Sequence, residues 1–299
     1  MCRLRTFVCL ASLLLLSTAA SAQQDIINTF AGGGPNNVPA TSANVADPVA
    51  VATDTFGNYY FIASNRAFKV SASGTLTVFA GSGVAGYSGD GGLAALAELN
   101  NPQGIAADSF GNVYIADTDN CVIRKVDNTG TISTFAGSPG NCSWGEDFVA
   151  ATDAYLKYPY GVAVDGIGNV YIADTKNYRI REVTISNGEI YTVAGFGWDC
   201  TLGGSYCGDG YSADNAGISD VFSLAVDGYG HVYFADYSNG EIREFSVGGN
   251  ITAVAGNGIL DWPFVNGESA TSAGLDYPYG IALDLDDNIF IADDYIDRF

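Results

Sequence analysis

The chain has 299 residues, 47% of them hydrophobic and 15% charged, with 38 glycines and 8 prolines, which supports a sizeable core and excludes a disordered chain. Its 33 acidic residues against 12 basic ones give a formal net charge of −21. Nucleic acid and anionic lipid bind through a basic footprint, so this balance argues against both as partners.

The first residues read as an export signal. Arg3 and Arg5 precede a short apolar run from Phe7 to Leu16, and Ala20-Ser21-Ala22 supplies small residues for cleavage after Ala22. Residues 1–22 are therefore expected to leave, and the mature chain, 23–299, to be secreted, periplasmic or extracellular. Loss of the two arginines takes the charge from −21 to −23. No later segment offers the roughly 20 apolar residues of a membrane span. Cys2 and Cys9 leave with the signal, so Cys121, Cys142, Cys200 and Cys207 remain. An even count in an exported chain favours disulfides, with three pairings open to four cysteines.

The octapeptide GNVYIADT occurs twice, at Gly111–Thr118 and Gly168–Thr175. Extending outward from it gives five related lines, beginning near residues 47, 101, 158, 220 and 277. The shared glycine falls at Gly57, Gly111, Gly168 and Gly230, with Asp287 in the fifth line. An asparagine follows at Asn58, Asn112, Asn169 and Asn288, with His231 in the fourth, and an aspartate precedes at Asp54, Asp108, Asp165, Asp227 and Asp284. Recurrence at this spacing marks a propeller or a solenoid.

Each line resolves into strands. Gly161–Asp165 is apolar and β-prone, the Asp-Gly-Ile-Gly-Asn stretch is a tight turn, and Val170–Ala173 is a second strand. Arg179–Val183 alternates as a half-buried third strand should, as does Val122–Val126. A fourth strand ends in Phe79-Ala80-Gly81, Phe135-Ala136-Gly137, Val193-Ala194-Gly195 and Val254-Ala255-Gly256. Four short antiparallel strands per repeat make a propeller blade, and no stretch holds a 3.6-residue period. The fold class expected is therefore an all-β propeller of four-stranded blades, with five blade units visible.

The pattern Pro-x-Gly-[Ile/Val]-Ala-x-Asp-x-x-Gly-Asn-x-Tyr-[Ile/Phe]-Ala-Asp, followed by Ile-Arg-[Lys/Glu]-[Val/Phe], resembles NHL repeats. Tyr87–Ala94 is similar to the connectors of bacterial exported NHL proteins. The resemblance covers essentially the mature chain and implies the propeller fold. It leaves function open, because NHL propellers include lyases, sensor domains, RNA binders and protein-interaction scaffolds. Asp25–Gly32 matches a fourth strand without the first three, so residues 25–32 are expected to complete the last blade and close the ring. At the other end, Asp297-Arg298-Phe299 falls partway along a third strand. NHL-like rings typically have six blades, so the last blade reads as truncated, the alternative being a complete five-bladed ring.

Strand direction places the second-to-third-strand turns and the blade-to-blade connectors on one face, here called upper. Long loops sharing a face are a binding surface. The connectors carry Tyr87, Trp144, Trp198, Tyr206, Tyr211 and Trp262, either an aromatic platform for sugar or peptide or a packing layer on the blade tops. Loop placement pairs Cys121 with Cys142 and Cys200 with Cys207. The second strands end in Asp117, Asp174, Asp236 and Asp293. These carboxylates would either accept amides of the following loop or ring the upper face as Ca²⁺ ligands, although no Asp-x-Asp-x-Asp-Gly calcium loop is present.

Catalytic options are few. His231 is the only histidine and sits in a lower turn, so neither a histidine zinc site nor a histidine-assisted nucleophile can be built on the upper face. The histidine zinc ligands of NHL-like peptide-amidating lyases have no counterparts here. There is no nucleophile elbow, phosphate loop or dinucleotide fingerprint. The leading expectation is a non-enzymatic exported scaffold that binds a protein or glycan through its long-loop face and needs no cofactor. A Ca²⁺-dependent propeller lyase or lactonase, with carboxylates at the central channel, is the alternative.

Overall fold

The computed structural model describes residues 36–199, 208–260 and 267–294. The export signal, the closing strand at 25–32, Tyr206, Trp262, Cys200, Cys207 and the last five residues lie outside them.

An Asp-x-x-Gly-Asn turn folds locally for a reason visible in its atoms. Asp108 Oδ1 accepts the amides of Phe110 and Asn112 at 2.9 and 2.8 Å, while its Oδ2 accepts the Asn112 side-chain amide at 2.6 Å. The same bonds recur at Asp54, Asp165 and Asp284, and Asp227 uses the ring Nδ1 of His231 at 2.7 Å instead of an asparagine amide. Tyrosine hydroxyls from the next strand, Tyr60, Tyr114, Tyr171 and Tyr233, donate to these same aspartates. Each turn thus satisfies its own buried polar groups and launches an antiparallel pair.

The strands run in chain order. After β1 (Val38–Pro39), the first blade is β2 (Pro48–Thr53), β3 (Tyr59–Ala63), β4 (Arg66–Val70) and β5 (Thr75–Ala80). The second blade is β6 (Gly104–Ala107), β7 (Val113–Asp117), β8 (Val122–Val126) and β9 (Ile132–Ala136). Then come β10 (Val149–Ala150) and the third blade, β11 (Val162–Val164), β12 (Val170–Asp174), β13 (Arg179–Val183) and β14 (Glu189–Ala194). The fourth blade is β15 (Val221–Val226), β16 (His231–Asp236), β17 (Glu241–Ser246) and β18 (Ile251–Ala255), and the fifth shows β19 (Pro278–Leu283) paired with β20 (Ile289–Asp293). Every pairing within a blade is antiparallel and between neighbours in sequence. First strands β2, β6, β11, β15 and β19 pack successively against one another, so they form the inner wall of a propeller. The only helices among the described residues are single 3-10 turns.

Approach along that inner wall is close. A Cβ added to Gly104 would stand 2.1 Å from the carbonyl oxygen of Tyr160 in the next blade, which no side chain tolerates. The octapeptide's final threonine contributes a second link between blades. Thr118 Oγ1 donates to the Pro159 carbonyl and Thr175 Oγ1 to the Val221 carbonyl, both at 2.7 Å and both from one blade to the next.

The connectors are not free upper loops. The first three each run down to the outer edge of the following blade before returning to its inner strand: β10 pairs with β14, and Leu93 and Ser212 bridge to Thr131 and Asn250 at the outer strands of the second and fourth blades. β1 covers β5 of the first blade in the same way. Covering an outer strand removes the exposed edge that would recruit another chain. A 3-10 turn in each of these three connectors then inserts two alanines and an aliphatic side chain between blades. Ala94, Ala97 and Leu99 sit between the first and second blades, Ala151, Ala154 and Leu156 between the second and third, and Ala213, Ala216 and Ile218 between the third and fourth. All nine are buried. Cys121 and Cys142 form a disulfide that ties the top of β8 to the second connector, as their loop placement predicted.

Candidate functional site

On the upper face, three blades repeat one buried ion-pair clamp. In the second blade, Arg124 of β8 reaches Asp90 of the preceding connector at 2.5 Å and Asp117 of β7 at 3.4 Å, and donates to the Ser88 and Glu98 carbonyls. Arg243 joins Asp209 to Asp236 at 2.8 and 3.0 Å in the fourth blade. Arg181 joins Asp147 at 2.9 Å to Asp174 at 3.8 Å in the third, where Arg179 adds a second guanidinium at 3.0 Å from Asp174. The connector aspartate lies 34 residues before its arginine in every case. In the first blade Phe68 takes the arginine's place.

The second-strand aspartates are thereby occupied. Asp117, Asp174 and Asp236 are fully buried, and each accepts the backbone amide 17 residues earlier: Asn100, Lys157 and Ser219 at 2.7, 2.7 and 2.8 Å. Asp293 accepts Asp276 N in the same register at 2.9 Å. The amides accepted thus belong to the segment entering the blade, rather than to the loop that follows, which supplies only side-chain donors such as Asn120 and Asn177. Burial pushes the Asp117 carboxyl up to about 6, against the pull of Asn120, the Asn100 amide and Arg124. Burial raises Asp174 as well, against Arg179, and lowers Arg181 to about 10, with Arg179 as the second cause. These shifts are the cost of removing the charges from water. Among the described residues, no group of three or more His, Cys, Asp or Glu stands where it could hold a metal ion. With Asp117, Asp174 and Asp236 already held by arginines and backbone amides, millimolar Ca²⁺ is expected to leave the melting temperature unchanged; marked thermal stabilisation by the ion would assign these carboxylates a metal role.

The connector aromatics divide into two kinds. Tyr87 lies under the Arg124 guanidinium, 4.7 Å from ring centroid to Cζ, and its hydroxyl donates to Asp90. Trp144 lies 3.9 Å from Arg179 Cζ. Both roof the clamps. Trp198 and Tyr211 stand 73% and 61% exposed. None of these four belongs to the cavity lined by Tyr158, Tyr160 and Tyr178.

The cavity is elsewhere, at the upper end of the inner wall. One repeat position falls at this end of every line, just before or at the second residue of the first strand: Val49, Gln103, Tyr160, Phe222 and Tyr279. Three of them form an aromatic arc, with Tyr160 edge-on to Phe222 at 4.9 Å and Phe222 stacked on Tyr279 at 4.7 Å, extended by Tyr237 and Tyr277. Beside the arc a cavity of about 440 Å³ is lined by Asp119, Lys157, Tyr158, Tyr160, Lys176 and Tyr178. Tyr158 and Tyr178 adopt left-handed backbone, φ 47° and 50°, which a bulky side chain disfavours. The equivalent second-to-third-strand position in the fourth blade is Gly240, φ 62°.

The Teneurin NHL domain model matches residues 85–146, the first connector through the second blade and its exit. Human Teneurin-4 is 28% identical over 226 residues, covering 69% of this chain and 8% of its own length. The chain thus spans less than a tenth of that curated relative. An auxiliary nutrient binding protein from Bacteroides ovatus aligns with a TM-score of 0.59 at 15% identity, over 84% of this chain and 58% of its own. The Nidogen/Laminin complex supplies a chain with a TM-score of 0.53 at 16% identity, over 82% of this chain and 72% of its own. The chain is an NHL-repeat β-propeller.

Within this NHL propeller, the lone histidine belongs to the lower face. His231 stands at the start of β16, its ring 42% exposed and bonded to Asp227, at the opposite end of the strands from the cavity. That hydrogen bond raises the imidazole's proton affinity against a smaller opposing effect of burial. Two site features escaped the sequence reading. The duplicated Tyr-Pro-Tyr-Gly at 158–161 and 277–280 was a readable signal for the aromatic arc. The clamp arginines also recur seven residues after the second-strand aspartates, although a single repeat does not reveal which connector they reach.

Proposed function

We propose that this NHL propeller is an exported, non-enzymatic scaffold that binds a protein or glycan partner on its upper face, at the mouth of the inner wall. One observation carries the reading: the cavity of about 440 Å³ opens beside the aromatic arc of Tyr160, Phe222 and Tyr279, where flat apolar rings with polar edges stand partly exposed. The disulfide between Cys121 and Cys142 suits an oxidising compartment, and among the described residues no helix is long and apolar enough to cross a membrane. The lone histidine lies away from the cavity, so chemistry that depends on it has no access to a ligand bound there.

A combined glycan and peptide array, probed with the full chain, tests the proposal. Binding is expected, and it should fall at least tenfold in Tyr160→Ala while Trp198→Ala binds as the parent does. Loss in Trp198→Ala with Tyr160→Ala unaffected would move the site to the connectors, and an array without any bound ligand would overturn the reading.

A further inference from the structure

The chain contains four lysines, and two of them, Lys157 and Lys176, line the upper-face cavity. The two are held together by the backbone, Lys176 N–H donating to the Lys157 carbonyl at 3.1 Å. Lys157 N–H donates in turn to the buried Asp174 at 2.7 Å, so the pair is anchored on the third blade's clamp. The repeat supplies its own comparison. In the second blade the same backbone bond joins Asp119 to Asn100 at 3.1 Å, and in the fourth the two positions are Ser238 and Ser219. The scaffold therefore does not require cations here; the third blade alone carries them among the described blades.

The remaining described cations are committed elsewhere. Arg124, Arg179, Arg181 and Arg243 are buried in clamps, and Arg66 donates to the Ser82 carbonyl. Lys69 and Lys125 lie over Tyr60 and Tyr114, side chains that bond the lower turns. Lys176 pairs with Asp220 at 2.6 Å at the cavity edge, while Lys157 has no carboxylate partner among the described residues. An ammonium without a counterion, in a chain of net charge −21, is a site of local attraction for a single anion. A long polyanion would run out over the surrounding acidic surface and be repelled, so a short acidic ligand is favoured.

The rest of the lining narrows the class. Tyr158, Tyr160 and Tyr178 offer flat faces, their hydroxyls and Asp119 offer hydrogen-bonding edges, and two of the three rings are placed through disfavoured left-handed backbone. Flat apolar faces beside directional polar groups match a pyranose, whose C–H face stacks while its hydroxyls bond. We infer that this cavity binds an acidic saccharide, its ring carried on the tyrosines and its carboxylate or sulfate on Lys157 and Lys176. This rests on the upper-face binding reading and names the ligand class for it.

The probe is a trimer of galacturonic acid, titrated calorimetrically into the full chain, with neutral galactotriose as its control. The acidic trimer is expected to bind at least tenfold more tightly than the neutral one, and less tightly as salt is raised. Lys157→Gln should weaken the acidic trimer at least tenfold and leave the melting temperature unchanged, since that ammonium holds no carboxylate in the fold. Lys176→Gln should do the same to binding. Equal affinity for both trimers, or parental affinity in Lys157→Gln, would overturn the inference. Absence of trimer binding while the array reports other glycans or peptides would overturn it too and leave the scaffold reading standing; absence of any ligand would remove both.

Discussion

Replacing Asp174 by alanine is expected to lower the unfolding free energy by about 3–5 kcal/mol, the usual cost of removing one partner from a buried ion pair. Asp174 is fully buried and is the shared anion of Arg179 and Arg181, which stand 3.0 and 3.8 Å from it and are themselves buried. Without it, the two guanidiniums face one another with Asp147, Thr192 and backbone carbonyls as their remaining partners. The Lys157 amide also loses its acceptor, which loosens the inner strand at the cavity. Burial already pulls Arg181 down to about 10, so its charge has little solvent to fall back on. The clamp need not add net stability while intact, because the desolvation of each ion offsets much of the attraction. Its partners are nevertheless mutually dependent. Urea unfolding of Asp174→Ala, Arg181→Met and the double variant measures this, and the double should lose less than the two singles together. A loss below about 1 kcal/mol in Asp174→Ala would show that the clamp is dispensable.

Leu156→Ala carries the second large effect, about 2–5 kcal/mol, the range for a buried leucine truncated in a packed core. Leu156 is fully buried between the second and third blades, with Ala151 and Ala154 of the same connector and Ile172 and Ile190 of the third blade in its cluster. The connector is held at both ends, by β10 along β14 and by the hydrogen bond that the Lys157 N–H donates to Asp174, so it cannot move in to fill the void. Leu96, in the corresponding turn of the first connector, provides the contrast: it is 73% exposed, and Leu96→Ala should change stability by less than about 0.5 kcal/mol. Thermal and urea unfolding of the two variants side by side distinguishes buried inserts from surface loops. Similar losses in both would contradict the placement of the connector between blades.

The two variants also separate what is local from what is not. The Asp-x-x-Gly-Asn turns were readable because every partner lies within six residues: Asp108 bonds Phe110, Asn112 and Tyr114. The alternation in Val122–Val126 and Arg179–Val183 likewise marked strands without knowledge of other blades, but it suggested half-burial. All five residues of β13 and four of the five in β8 are instead buried, because the connectors cover their polar positions. The connector insertion was less accessible. Its motif of two alanines three apart and an aliphatic two further on, as in Ala151, Ala154 and Leu156, repeats in the sequence, but the length of the connector suggested an open loop. Its partners lie on two different blades, and the outer-edge pairing that draws it down is a backbone contact made by two residues. The candidate aromatic platform suffered for the same reason. Tyr87 and Trp144 carry the residue types of a binding surface, but they roof Arg124 and Arg179.

The amino-acid sequence alone determined the blade: the turn chemistry and the four-strand order are set by interactions between residues close along the chain, and the repeat of that unit announces the propeller. It also determined that the cysteines of the second blade's top could meet, since both fall in loops on one face. Only the tertiary structure decided which carboxylates are buried acceptors, which arginine joins which connector, and which tyrosines face an opening. Those contacts join residues 17, 26 and 34 positions apart, and they form only when strands from different segments are already stacked. Lys157 and Lys176 show the consequence most directly: 19 positions apart in sequence, they become a pair because one backbone amide reaches one carbonyl across the top of the third blade.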